Sequence, residues 1–370
     1  MSHWTMQDLL RTVIEKKGSD LHLTTDSPPQ IRIAGRLHPA GVEPLTGETV
    51  RELCLSVLTE KQVSKLQKLK ELDFSFEFTT GDRFRGSLFL QRGNLCGAFR
   101  FIPKEIYSFE ALGLPEVLSR LADSVPGLVL VTGATGSGKS TTLAAMVDLI
   151  NTKRSGHIIT IEDPMEFIHK NKKSIISQRE VHTDTESFSD ALRFALRQDP
   201  DVVLVGEMRD YETIAATLTI AETGHLTLAT LHTNSAVQTI NRIIDVFPSE
   251  QQFQVRTQLA FSLKGIVSQM LLPRKNGVGR VLALEILIPN TAVRTLIREN
   301  KLHQIESQMV SGQSSSGMQT MDQHLATLVV DNLISRDIAL HASHNPTIVE
   351  NEITRKMHCK PVGGGRSAGI

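Results

Sequence analysis

GLVLVTGATGSGKSTTL, residues 127–143, decides how the rest of the chain is read. Leu128 to Val131 is an apolar run of strand length. Gly133-Ala134-Thr135-Gly136-Ser137-Gly138-Lys139-Ser140 follows, a full G-x-x-x-x-G-K-[ST] phosphate-binding loop. The run Leu143-Ala144-Ala145-Met146-Val147 after it is helix-forming. Glycines let the backbone turn tightly enough to aim successive N–H groups at one anion, and the helix adds its N-terminal dipole. The expected nucleotide-binding set is Thr135, Gly136, Ser137, Gly138, Lys139, Ser140 and Thr141. Lys139 has the reach for the β- and γ-phosphates of ATP, and the Ser140 hydroxyl is a ligand for Mg²⁺.

Working outward, 370 residues imply two or three domains. Forty basic residues balance forty acidic ones, so no global field favours nucleic acid, and none is expected as a partner. Cys54, Cys96 and Cys359 are far apart and form no C-x-x-C pair, so neither a zinc site nor a disulfide framework is signalled. No apolar run approaches the roughly 18 residues of a membrane span. The opening MSHWTMQDLLRTVIEKKG reads as a helix and lacks the features of a secretory signal, so a cytoplasmic protein without direct membrane insertion is expected.

Residues 1–102 read as an α+β domain. SDLHL and QIRIAGRL alternate like strands, 46–70 is helical in composition, and Asp73 to Ile102 reads as a three-stranded meander. Residues 103–115 have prolines at both ends and read as an interdomain linker. From 116 to 350 strands and helices alternate, as in a parallel α/β sheet. Strands are expected at 128–132, 157–161, 202–206, 226–230 and 281–287. Helices are expected at 139–152, 187–198, 211–222 and 248–270, with mostly helix over 289–344 broken by a flexible loop at 311–320. Residues 351–370 are expected to be a disordered tail.

Two apolar strands end in acids. HIITIEDPMEF places Glu162 where an attacking water must be polarised, and DVVLVGEMRD places Glu207 where an acid serves Mg²⁺ through its water shell. Glu166 is as well explained by local capping. In AETGHLTLATLHTNSA, His232 ends a strand and is expected to sense the γ-phosphate, whereas His225 is evenly balanced between function and a satisfied structural role. A loose anionic transition state rewards a guanidinium. Arg83, Arg85, Arg92, Arg100, Arg197, Arg209, Arg242, Arg274 and Arg280 are all eligible on the residues alone.

Taken together, these motifs resemble the secretion ATPase superfamily, and within it the retraction ATPases of type IV pilus machines, over about residues 4–345. SDLHL with PPQIRIAGRL is similar to that family's N-terminal signature, and GATGSGKSTTLAAM to its Walker A segment. IEDPMEF, LVGEMRD and ETGHLTLATLHTNSA resemble its Asp box, Walker B and His box. AVRTLIREN, 292–300, resembles its retraction motif, and GMQTMD, 317–322, is also family-like. The resemblance implies a PAS-like N-terminal α+β domain, a RecA-like P-loop ATPase domain and a homohexameric ring. It implies catalytic roles for Lys139, Glu162, Glu207 and His232, with Ser140 and Glu207 at Mg²⁺, and selects Arg85 and Arg100 among the arginines. Ala134, the Ser87-Leu88 pair and Thr295 depart from the family pattern.

The implied activity is an ATP-hydrolysing motor for pilus retraction and twitching, worked by nucleotide-driven domain movement. Its implied partner is the inner-membrane platform protein, and indirectly pilin, with the ring peripheral at the inner membrane. An assembly or type II secretion ATPase of the same superfamily is the alternative.

Overall fold

A computed structural model describes residues 4–33, 35–78, 81–102, 105–124, 126–312 and 316–359. The chain forms two compact units. The first runs to Glu105 and includes Pro164–Ile168, and the second comprises Ile106–Asp163 and the residues from His169 onward.

In the first unit α1 (Met6–Glu15), β1 (Asp20–Leu23), β2 (Gln30–Ile33), β3 (Arg36–Pro39), α2 (Gly47–Leu55), α3 (Glu60–Leu69), β4 (Glu71–Glu77), β5 (Arg83–Gln91) and β6 (Asn94–Ile102) follow in order. Thr5 and Thr59 open α1 and α3 through capping boxes with Asp8 and Gln62. The strands form one antiparallel sheet, β3-β2-β1-β6-β5-β4. The expected meander is its β4-β5-β6 half. Leu9, Leu10 and Val13 of α1 pack with Leu21, Phe84 and Phe99 into its core.

The second unit begins with α4 (Phe109–Leu112), α5 (Glu116–Ala122), β7 (Gly127–Thr132), α6 (Lys139–Lys153), β8 (His157–Glu162) and β9 (Ile175–Glu180). It continues with α7 (Phe188–Ala195), β10 (Val202–Val205), α8 (Tyr211–Glu222), β11 (Leu226–Leu231), α9 (Ala236–Asp245), α10 (Ser249–Ser262), β12 (Leu263–Pro273) and β13 (Arg280–Leu287). The helices α11 (Thr291–Arg298), α12 (Ile305–Ser311), α13 (Met321–Val330), α14 (Arg336–Ala342) and α15 (Pro346–Cys359) close it. The seven-stranded sheet has the order β13-β12-β7-β11-β10-β8-β9, parallel throughout except for β13. Both faces are covered: Leu128, Ile159 and Val203 enter one apolar cluster, Val129, Ile158 and Val202 the other. Burial on both faces is why these strands read as continuous apolar runs.

Several expectations are corrected. The helix expected over 248–270 ends at Ser262, and residues 263–270 belong to β12. LKGIVSQMLL is apolar enough for a strand between β7 and β13, and Gly265 lets it approach Leu121 closely, since a Cβ there would lie 2.8 Å from that side chain. The tail expected from 351 begins later, because residues 351–359 continue α15, with Val349 and Ile353 buried. Residues 360–370 lie outside the described residues. The stretch read as a linker contains α4 at 109–112, and its residues 103–104 are not described. Within the loop expected at 311–320, Met318 is buried and Gln319 bridges to Ile286; residues 313–315 are not described. The edge strand β9 was not anticipated.

Two polar side chains tie the second unit together, Glu285 buried and Arg294 half-buried. Glu285 on β13 accepts the N–H groups of Ala236 (2.6 Å) and Met321 (3.3 Å), the first residues of α9 and α13. Burial pushes its carboxyl above the usual range despite those bonds. Arg294 on α11 caps the C-terminus of α10, donating to the carbonyls of Ala260, Phe261 (3.1 Å) and Leu263 (3.0 Å). Val293 and Ile297 fill the core beneath. We expect Arg294→Ala to cost about 1.5–3 kcal/mol, the usual worth of hydrogen bonds to a charged group. A thermal melt of the nucleotide-free protein reads this; an unchanged midpoint would contradict the capping role.

Candidate active site

Four adjacent strands, β7, β11, β10 and β8, end side by side, and each carries one expected element at or just past its carboxyl end. Strand β7 leads into the phosphate loop, β11 into His232, β10 into Glu207, and β8 ends on Glu162. Parallel pairing sets this convergence: Thr132 lies opposite Leu231, and Val205 opposite both Ala229 and Ile161. The carboxyl edge of an open parallel sheet is where such folds bind ligands.

In the loop, Gly136 and Gly138 have φ of 80° and 92°, in the left-handed region. A Cβ on Gly133 would lie 2.4 Å from the Gln269 carbonyl and 2.6 Å from Ser137 Oγ, so only glycine fits. No side chain caps the N-terminus of α6, which leaves its first N–H groups for an anion. Ser137 Oγ is buried without a partner among the described residues, as a group awaiting a phosphate oxygen would be. Lys139 is buried and donates to the carbonyls of Gly133 (2.8 Å) and Ala134 (3.2 Å). Ser140 and Thr141 sit half-buried in the first turn of α6, Thr135 is exposed at the loop tip, and Thr142 accepts from Gln269 Nε2 at 2.8 Å.

The acids and the histidine join the loop. His232 Nε2 lies 3.2 Å from Glu207 Oε1, and its Nδ1 lies 3.5 Å from Thr135 Oγ1. With Nε2–H donating to Glu207, Nδ1 is the acceptor for the Thr135 hydroxyl. Arg209 contacts Glu207 Oε2 at 2.7 Å. Burial pushes the Glu207 carboxyl up, but Arg209 and then His232 outweigh it and hold it below the usual range. Glu207 is therefore a fixed anion, suited to the shell of a cation. Glu162 is half-buried and accepts from Thr160 Oγ1 (2.7 Å) and Gln178 Nε2 (3.4 Å) on Oε1.

Other expected residues lie elsewhere. His225 precedes β11, at the end opposite His232, and its Nδ1 sits 3.1 Å from the Ile220 carbonyl at the end of α8. Glu166 belongs to the first unit and is exposed. Arg85 and Arg100 are register partners on β5 and β6 of that unit, both exposed. Arg100 binds Asp20 at 2.9 Å, and Arg85 lies 3.9 Å from Asp73. Sequence reading missed Gln269, because β12 was read as helix, and Thr160, although two residues before Glu162 on one strand is the spacing that shares a face.

The model of the family described as Type II/IV secretion system protein matches residues 104–355. The chain belongs to this family. The type IV pilus retraction ATPase PilT of Pseudomonas aeruginosa is 49% identical over 339 residues, which span 92% of this chain and 98% of that relative. A twitching motility protein of Neisseria gonorrhoeae is 50% identical over 317 residues, 86% of this chain and 84% of its own. A crystal structure of the pilus retraction motor PilT with bound ADP superposes with a TM-score of 0.88 at 50% identity, covering 94% of this chain and 99% of that one. This is a PilT-like ATPase, with the N-terminal α+β unit and P-loop α/β unit that the sequence implied. Among its described residues no helix is long and apolar enough to cross a membrane.

Proposed function

We propose that this chain is the motor of type IV pilus retraction, hydrolysing ATP to power pilus disassembly and twitching motility. The observation that carries the reading is the convergence of the phosphate loop, Glu162, Glu207 and His232 on four neighbouring strand ends; near full-length similarity to a retraction ATPase supports the direction of work. Thr135 to Thr141 hold the phosphates, Lys139 supplies positive charge, and Glu162 takes the proton of the attacking water. The hydroxyl of Ser140 and the ionised Glu207 fit Mg²⁺, the latter through water, and the ion when bound neutralises phosphate charge. His232 reports on the γ-phosphate through the Thr135 contact. Arg85 and Arg100 are the proposed guanidinium contacts to nucleotide.

Turnover drives movement of the N-terminal unit against the ATPase unit within a homohexamer. The ring works on the inner-membrane platform protein, and through it on pilin, from the cytoplasmic face. A deletion strain scored for surface fibres and twitching tests this. We expect excess fibres and no twitching. A bald cell would point instead to an assembly or secretion motor.

A further inference from the structure

Glu162 ends β8, and a carboxylate at a strand end has rotamers to spare unless something fixes it. Two side chains do so. Thr160, fully buried and two residues earlier on the same face, donates its hydroxyl to Glu162 Oε1 at 2.7 Å. Gln178 comes from β9, where the parallel register sets it directly beside Thr160, and its Nε2 donates to the same oxygen at 3.4 Å. The Gln178 amide is itself held, since its Oε1 accepts the His169 N–H at 2.7 Å. That contact fixes which end of the amide is the donor. His169 is also where the chain re-enters the second unit after Pro164–Ile168.

We propose that Thr160 and Gln178 are positioning residues for the hydrolytic step: together they orient the Glu162 carboxylate and favour its ionised form. The proposal rests on the reading of Glu162 as general base. Hydrogen bonds donated to a carboxylate stabilise its charge and keep it ready to accept a proton at neutral pH. Both donors act on Oε1 and so restrain where that oxygen sits. A general base a fraction of an ångström out of place loses part of its advantage. Neither residue belongs to the phosphate loop, so nucleotide affinity is expected to be independent of them.

The test uses full-length protein carrying Thr160→Val, Gln178→Leu, Gln178→Glu or Glu162→Gln, assayed for ATP hydrolysis across pH and for nucleotide affinity. Thr160→Val keeps shape and removes only the donor. Gln178→Glu keeps an acceptor for the His169 N–H and replaces the donor by a like charge. We expect kcat to fall about 10-fold in Thr160→Val and Gln178→Leu, a part of the roughly 10²–10⁴-fold that proton transfer supplies. We expect the acid limb of the kcat profile to move to higher pH, furthest in Gln178→Glu, with KM and nucleotide affinity unchanged. A merely structural role would lower the melting temperature and leave the pH limb in place, which overturns the proposal. Inactive Glu162→Gln beside wild-type kcat and pH profile in the other three overturns the positioning role alone. Wild-type hydrolysis in Glu162→Gln overturns the general-base reading and the proposal with it.

Discussion

Glu162→Gln is expected to lower kcat for ATP hydrolysis by about 10³-fold, within the range that a positioned general base supplies, while nucleotide affinity stays near wild type. The two acids of the site are not equivalent, and their surroundings decide which one accepts a proton. Glu207 is clamped between Arg209 at 2.7 Å and His232 at 3.2 Å and is held below the ordinary carboxylate range. A carboxylate paired with a guanidinium is a poor proton acceptor and a good fixed anion. Glu162 accepts from two neutral donors, Thr160 and Gln178. The glutamine variant preserves size and an acceptor oxygen for those donors but cannot take a proton at neutral pH. Phosphate release and titration with a fluorescent nucleotide separate the two effects. Hydrolysis within about twofold of wild type would remove Glu162 from the chemistry.

Much of this arrangement is legible in the sequence, and particular residues show why. The phosphate loop is read from local chemistry, because glycines at 133, 136 and 138 serve backbone angles and clearances that other residues cannot meet. The strands carrying Glu162 and Glu207 were legible because doubly covered strands are continuously apolar. Strand β12 was not, since an apolar run that directly continues a helical one has no boundary signal of its own. Its boundary is set by pairing with β7 and β13, a tertiary matter. The same holds for Gln178, whose neighbour Thr160 is 18 positions away and is found only through the β8–β9 register. His225 and His232 look alike in sequence, yet the strand between them carries them to opposite ends of the sheet. Arg294 illustrates the reverse: a residue singled out by a motif turns out to hold the end of α10. Arg298 of the same motif lies with its guanidinium 6.0 Å from the centroid of the exposed Phe261 ring.

The second large effect is that of Lys139→Ala, which is expected to lose both hydrolysis and nucleotide affinity. Lys139 is 8% exposed, and its ammonium is bound to the carbonyls of Gly133 at 2.8 Å and Ala134 at 3.2 Å. The charge thus sits inside the curve of the loop, held against two of its carbonyls. Truncating one member of a buried, hydrogen-bonded charge contact costs about 2–5 kcal/mol, which is roughly 30- to 4,000-fold in affinity at 1.4 kcal/mol per decade. The same truncation strips two loop carbonyls of their donor, so the nucleotide-free protein should also melt at a lower temperature. Glu162→Gln leaves the loop intact and predicts neither change. Binding measured on both variants therefore discriminates: a large affinity loss in Lys139→Ala beside near-normal affinity in Glu162→Gln assigns phosphate binding to one residue and water activation to the other. Equal losses would contradict that division, because a base that acts only on water has no stake in holding the phosphates.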